Sequence, residues 1–179
     1  MKKRRIISVF SGSTAVFLCL LFLSAANSTP ISESRTAVNV DWCSAGISGT
    51  GGSDNGGGSG TITLDCVTGT VEQAFLYWHG IGSSYNNPVV QINGNSVTGT
   101  SLGDSTSNCW SSAESSTAFE ADVTDFVSGN GDYDITGLSA KPGYSSNGAS
   151  LVMIFNDGDD SNNRNLVFYT GNDADTADS

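Results

Sequence analysis

From about residue 37 onward the chain is built of short segments that are apolar on alternate residues, separated by Gly, Asn, Asp and Ser. In 61–67, Ile62, Leu64 and Cys66 alternate with Thr61, Thr63 and Asp65, the period-two signature of a strand with one buried face. Segment 71–79 carries Phe75-Leu76-Tyr77-Trp78 without a polar break, which predicts a strand covered on both faces at the centre of a sandwich. Segments 89–92 and 95–98 flank Asn93-Gly94, and Asn-Gly supplies the positive φ angles of a two-residue hairpin turn. The same pattern predicts strands over 37–42, 119–123, 132–138, 149–155 and 165–170, and a single helical turn over 124–127. The polar loop 156–164 would join the last two strands as an antiparallel pair, and Ser-rich 99–117 would be a surface excursion. With no helix-period stretch among them, the segments predict an all-β fold: a two-sheet antiparallel sandwich, jelly-roll-like, of about eight strands.

The chain start follows another rule. Met1-Lys2-Lys3-Arg4-Arg5 leads into the apolar run 15–23 and then Ser24-Ala25-Ala26, the three-part form of a secretory leader cleaved after Ala26. That run is about nine residues, against the roughly 20 of a spanning helix, so no membrane anchor is expected of it. The expected organisation is a leader over 1–26, a disordered entry segment over 27–36, the sandwich over 37–171, and an acidic tail or linker over 172–179.

Removing the leader sharpens the charge. Four of the 7 basic residues lie in it, so Arg35, Lys141 and Arg164 face all 18 acidic residues. Such a surface repels phosphate backbones and anionic lipid, which argues against nucleic-acid or membrane-surface partners. Export also places Cys43, Cys66 and Cys109 in an oxidising compartment, where one disulfide forms and one thiol is left over. Cys43 with Cys66 is favoured because it closes the Gly-rich loop between them, while pairings with Cys109 stay open.

The order Phe75-Leu76-Tyr77-Trp78, Gln91-Ile92-Asn93-Gly94, Phe119-Glu120-Ala121-Asp122-Val123-Thr124 and Gly131-Asp132-Tyr133 resembles galactose-binding-like jelly-roll domains. With the late pair 149–155 and 165–169 it more closely resembles uncharacterised secreted domains of bacterial and archaeal surface proteins. The resemblance implies a structural or adhesive module and carries no catalytic residues to transfer; a carbohydrate-binding module is the alternative, and another surface protein or a glycan is the expected partner.

Candidate chemistry is sparse. His79 is the only histidine, expected to bond backbone at a strand end. Gly99-Thr100-Ser101-Leu102-Gly103 matches the text of a nucleophile elbow but lacks its strand-turn-helix setting, so no catalytic residue is assigned and no enzyme is expected. Trp110, Tyr85 and Tyr144 are the candidate sugar-stacking aromatics, Trp110 having a core plug as its alternative. Asp157, Asp159 and Asp160 gather hard oxygen ligands on the 156–163 loop, so calcium is the one candidate cofactor and a solvated loop the alternative; EF-hand spacing fails.

Overall fold

The computed structural model describes residues 29–48, 58–82, 86–106, 115–138 and 144–173. They form β1 (Thr29–Ser48), β2 (Gly60–Leu64), β3 (Thr70–Gly82), β4 (Val89–Ile92), β5 (Asn95–Thr98), β6 (Thr100–Thr106), β7 (Ser115–Asp122), β8 (Gly131–Thr136), β9 (Tyr144–Asn156) and β10 (Arg164–Asn172). A 3-10 turn at Thr124–Phe126 lies between β7 and β8. Two antiparallel sheets result, one ordered β10-β1-β9-β3-β7-β6 and the other β2-β8-β4-β5. This is the all-β two-sheet sandwich that the alternating pattern predicts.

The facing sides of the two sheets are where alternation places apolar residues. Ile62, Ile92 and Ile135 of the smaller sheet pack with Leu76, Trp78 and Leu151 of the larger, all buried. Each such side chain contributes roughly 1.5–3 kcal/mol on burial, and a one-residue slip would turn a whole row to the other face. Asn93 and Gly94 have φ of 48° and 79°, the positive pair that the β4–β5 hairpin needs. Trp78 anchors the layer: its ring stacks on Phe119 at 5.6 Å and its Nε1 donates to Asn87 O at 2.9 Å. Gly99 passes so close that a Cβ there would run into the indole.

Cys43 and Cys66 form a disulfide with a Cα–Cα distance of 5.8 Å and a sequence separation of 23. It ties β1 of the larger sheet to the segment after β2 of the smaller one. Closing a loop of that length stabilises by roughly 3 kcal/mol.

Three expectations are corrected. Residues 29–36, expected as a disordered entry, are the first half of β1, held by backbone pairing to β10. Within 99–117, expected as an excursion, 100–106 form β6 and β7 begins at Ser115; Ser and Thr make up most of the edge strand β6 and fill the first three positions of β7, ahead of its apolar Phe119 and Ala121. Last, β9 and β10 do not pair, because β1 lies between them. The described residues hold ten strands, against about eight expected.

That insertion creates a third layer. β1 pairs with β10 over its first half and with β9 from Asp41 onward, changing partner across a register shift between Ala37 and Val40. Asn39, at φ 58°, makes the corner. The β1–β10 ribbon packs Leu166 and Phe168 against Phe75, Tyr77 and Ile154 on the outer face of the larger sheet, a second and smaller apolar cluster. No helix among the described residues is long and apolar enough to cross a membrane.

Candidate functional site

Because strand residues alternate, Phe75, Tyr77 and His79 of β3 face outward while Ala74, Leu76 and Trp78 face the inner core. Polar chemistry concentrates on that outer side. Arg35 of the ribbon donates to both carboxylate oxygens of Glu120 on β7, from Nη1 to Oε2 at 3.1 Å and from Nη2 to Oε1. Arg35 Nη1 also donates to Tyr77 Oη at 2.8 Å, and the guanidinium lies 3.7 Å from the Phe75 ring centroid. Burial pushes the Tyr77 hydroxyl up to about 12, reinforced by Glu120 and opposed by Arg35, so it stays protonated. Burial alone would lower the Arg35 pKa, but Glu120 and Tyr77 hold it above its usual value.

Beyond Tyr77 lies a second polar chain. His79 Nε2 is 2.7 Å from Ser116 Oγ, Ser116 Oγ donates to Asn172 Oδ1 at 3.3 Å, and Asn172 Nδ2 donates to Ser116 O at 2.7 Å and Gly103 O at 3.0 Å. Since Asn172 Nδ2 must face those two carbonyls, its Oδ1 is the acceptor and takes the serine proton. The remaining role for His79 Nε2 is donor to Ser116. His79 is thus bonded to a side chain rather than to backbone, inside β3 rather than at its end. Burial lowers its pKa, and no charged group contributes to the shift.

Two hollows adjoin here. One of 390 Å³ is lined by Tyr77, His79, Leu102, Asn147, Ser150 and Gly171, among others, and among the described residues that line it none is Asp, Glu, Lys or Arg. The other, of 290 Å³, lies toward the ribbon against Ile31, Phe168 and Tyr169 and shares Tyr77, Leu102 and Gly171 with the first. The arrangement can hold a small uncharged molecule against an aromatic ring, an imidazole, an amide and a hydroxyl.

The candidate metal ligands lie at the opposite end of β3. Asp157 Oδ1 accepts from Asp159 N at 2.9 Å and Oδ2 from Thr68 Oγ1 at 3.2 Å. Asp159 Oδ1 accepts from Ser161 N and Oγ, and Asp160 Oδ1 from Asn39 Nδ2 at 3.0 Å. These contacts hold the Asp157 and Asp159 pKa values below the usual range. Among the described residues no three His, Cys, Asp or Glu side chains form a group that could hold a metal. Asp41, which sequence reasoning passed over inside a strand, faces Asp157; burial and that neighbouring charge push its pKa up.

Trp110 and Tyr85 lie outside the described residues. Tyr144 is the first residue of β9 and pairs through its backbone with Gly82, which in turn pairs with Ser115. The outer-face residues Tyr77 and His79 were visible only as members of an apolar run.

No family model, curated protein or solved structure matches this chain.

Proposed function

We propose that this chain is a non-catalytic, extracellular module of a secreted or surface protein that adheres by binding a glycan in the hollow beside Tyr77 and His79. The observation that carries the reading is the composition of that hollow. Its described lining offers an aromatic ring and several hydrogen-bonding side chains with no formal charge among them, which suits a neutral, hydroxyl-rich ring better than an anion or a peptide. Its 390 Å³ falls at the lower end of the roughly 300–1,000 Å³ of small-molecule sites. The leader sequence and the Cys43–Cys66 disulfide are in keeping with an oxidising, extracellular setting.

The non-catalytic part of the reading rests on proton direction. A serine nucleophile must pass its proton to the histidine, yet Ser116 gives its proton to Asn172 and receives one from His79. Ser116 is also buried at 2% exposure.

A broad glycan array probed with the full chain tests the proposal. We expect binding to a subset of neutral glycans, weakened at least about tenfold in Ser150→Leu and Asn147→Ala proteins whose melting midpoints are unchanged. A silent array, or binding indifferent to both substitutions, would leave a purely structural module as the better description.

A further inference from the structure

A hydrogen-bond chain beside the hollow fixes which way each proton points, and it ends at His79. Asn172 Nδ2 donates to the backbone carbonyls of Ser116 and Gly103, which have no proton to give back, so its Oδ1 is an acceptor. Ser116 Oγ donates to that oxygen, which leaves the serine lone pairs for His79 Nε2 at 2.7 Å. Nε2 therefore carries a proton. A neutral imidazole has one N–H, so Nδ1 is a bare acceptor.

The direction of Nδ1 follows from its surroundings. Among the described residues it has no hydrogen-bond partner. Nor is it sealed from solvent, as are the unpartnered Asp41 Oδ2 and Asn163 Oδ1. It is open, and the open space that His79 lines is the hollow of 390 Å³. The neighbouring groups there are less restricted. The Tyr77 hydroxyl is occupied by Arg35 and Glu120 and offers its ring, while Ser150 and Asn147 can each donate or accept. Among the described side chains of the lining, the imidazole nitrogen is the one hydrogen-bonding atom restricted to accepting.

Resting on the glycan reading of this hollow, we propose that His79 Nδ1 accepts a hydrogen bond from a sugar hydroxyl, and that the sugar is held only while the imidazole is neutral. A ring without that hydroxyl leaves a buried acceptor unpaired and is rejected. Protonation removes the lone pair and sets a positive charge beneath the sugar, which shields it from water. No neighbouring strand compensates that charge. Glu120 of β7 is held by Arg35 of β1, Asp104 of β6 accepts from Thr117, and β9 contains no Asp, Glu, Lys, Arg or second His. Neither these groups nor Glu33 of β1 nor Asp173 beyond β10 shifts His79, whose pKa is lowered by burial alone. Sugar and proton thus compete, and each weakens the other by the same factor.

His79 is the only histidine, so its ring gives a single set of signals in a long-range proton–nitrogen correlation spectrum of the labelled full chain. At about pH 7.5 we expect the Nε2–H tautomer. Methyl glycosides of glucose, galactose, mannose and N-acetylglucosamine, titrated singly, are the probes. One that binds, read at the backbone amides of Asn147 and Ser150, should move the Nδ1 signal and lower the pH at which the imidazole titrates. Its deoxy derivative lacking the bonded hydroxyl should leave Nδ1 unmoved. By the same linkage, its affinity should fall between about pH 7.5 and pH 5.5 in the parent and stay level in His79→Gln, which takes up no proton. An Nδ1–H tautomer overturns the assignment, as does a glycoside that binds at Asn147 and Ser150 while the imidazole titrates at an unchanged pH; both results leave the glycan reading standing. If no glycoside moves either the amides or the imidazole, that reading fails and this assignment falls with it.

Discussion

The two faces of β3 are built on different rules. Toward the smaller sheet it presents Ala74, Leu76 and Trp78, whose only polar atom in need of a partner, the indole Nε1, is bonded to Asn87 O. Toward the ribbon it presents Phe75, Tyr77 and His79, a ring under a guanidinium, a phenol in an ion-pair network and an imidazole on a serine. The inner face is a packing solution that fixes the register of two sheets. The outer face is a looser mosaic in which polar ties hold a ribbon in place and leave hollows beside it. The hollows lie on the second face because packing there is incomplete.

If that contrast is right, damage to the inner face unfolds everything. Trp78→Ala removes the largest fully buried side chain and leaves Asn87 O without its donor, so a loss of about 3–5 kcal/mol in chemical denaturation is expected, in one cooperative step for both sheets. Next in size is the covalent tie between the sheets. Cys43→Ala with Cys66→Ala should cost roughly 3 kcal/mol, read as a shifted denaturation midpoint, with the hollow beside Tyr77 and His79 unaffected because neither cysteine lines it.

Much of the inner face was readable in the sequence, and little of the outer. The Asn93-Gly94 turn and the uninterrupted run of β3 are local signals, and the structure realises both. The Cys43–Cys66 bridge likewise follows loop closure. By contrast, the first half of β1 and all of β6 are Ser-, Thr- and Glu-bearing strands with no apolar stripe, placed by partners more than 100 residues away in one case and by a neighbour in the other. The polar loop between β9 and β10 announces two strands running in opposite directions, but local signals do not reveal that β1 enters between them. The site shares this difficulty. Tyr77 and His79 look like core until the ribbon is seen to cover only part of their face, and Asp41 looks like an edge charge until Asp157 is folded onto it.

Smaller effects follow on the outer face. Glu120→Gln leaves Arg35 one neutral partner in place of a bidentate carboxylate, in a pair whose side chains are 22% and 15% exposed. Partial exposure screens the interaction, so about 1–2 kcal/mol is expected rather than the larger cost of breaking a fully buried pair. Amide exchange should speed up in the ribbon, residues 29–40 and 164–172, before it does in β2, β4 and β8. Uniform acceleration through both sheets would show that the two faces unfold as one unit and that the contrast drawn here is only one of composition.

The smallest effect is carried by His79. Burial lowers its folded pKa from 6.5, so the folded chain keeps it neutral where the unfolded chain begins to take up a proton. The unfolded state therefore binds more protons as pH falls through about 6.5, and stability drops until the folded pKa is reached; above about 6.5 the contribution is fully present. Solvent reaching the ring discounts the magnitude, which makes this the smallest of the expected effects. Denaturation midpoints between about pH 7 and pH 5 measure it, a range above the ordinary carboxylate pKa values. His79→Gln keeps a donor for Ser116 and should flatten that slope while leaving the stability at pH 7 within about 1 kcal/mol of the parent. A slope that survives the substitution would place the titrating group elsewhere and leave the imidazole as an ordinary strut between β3 and β7.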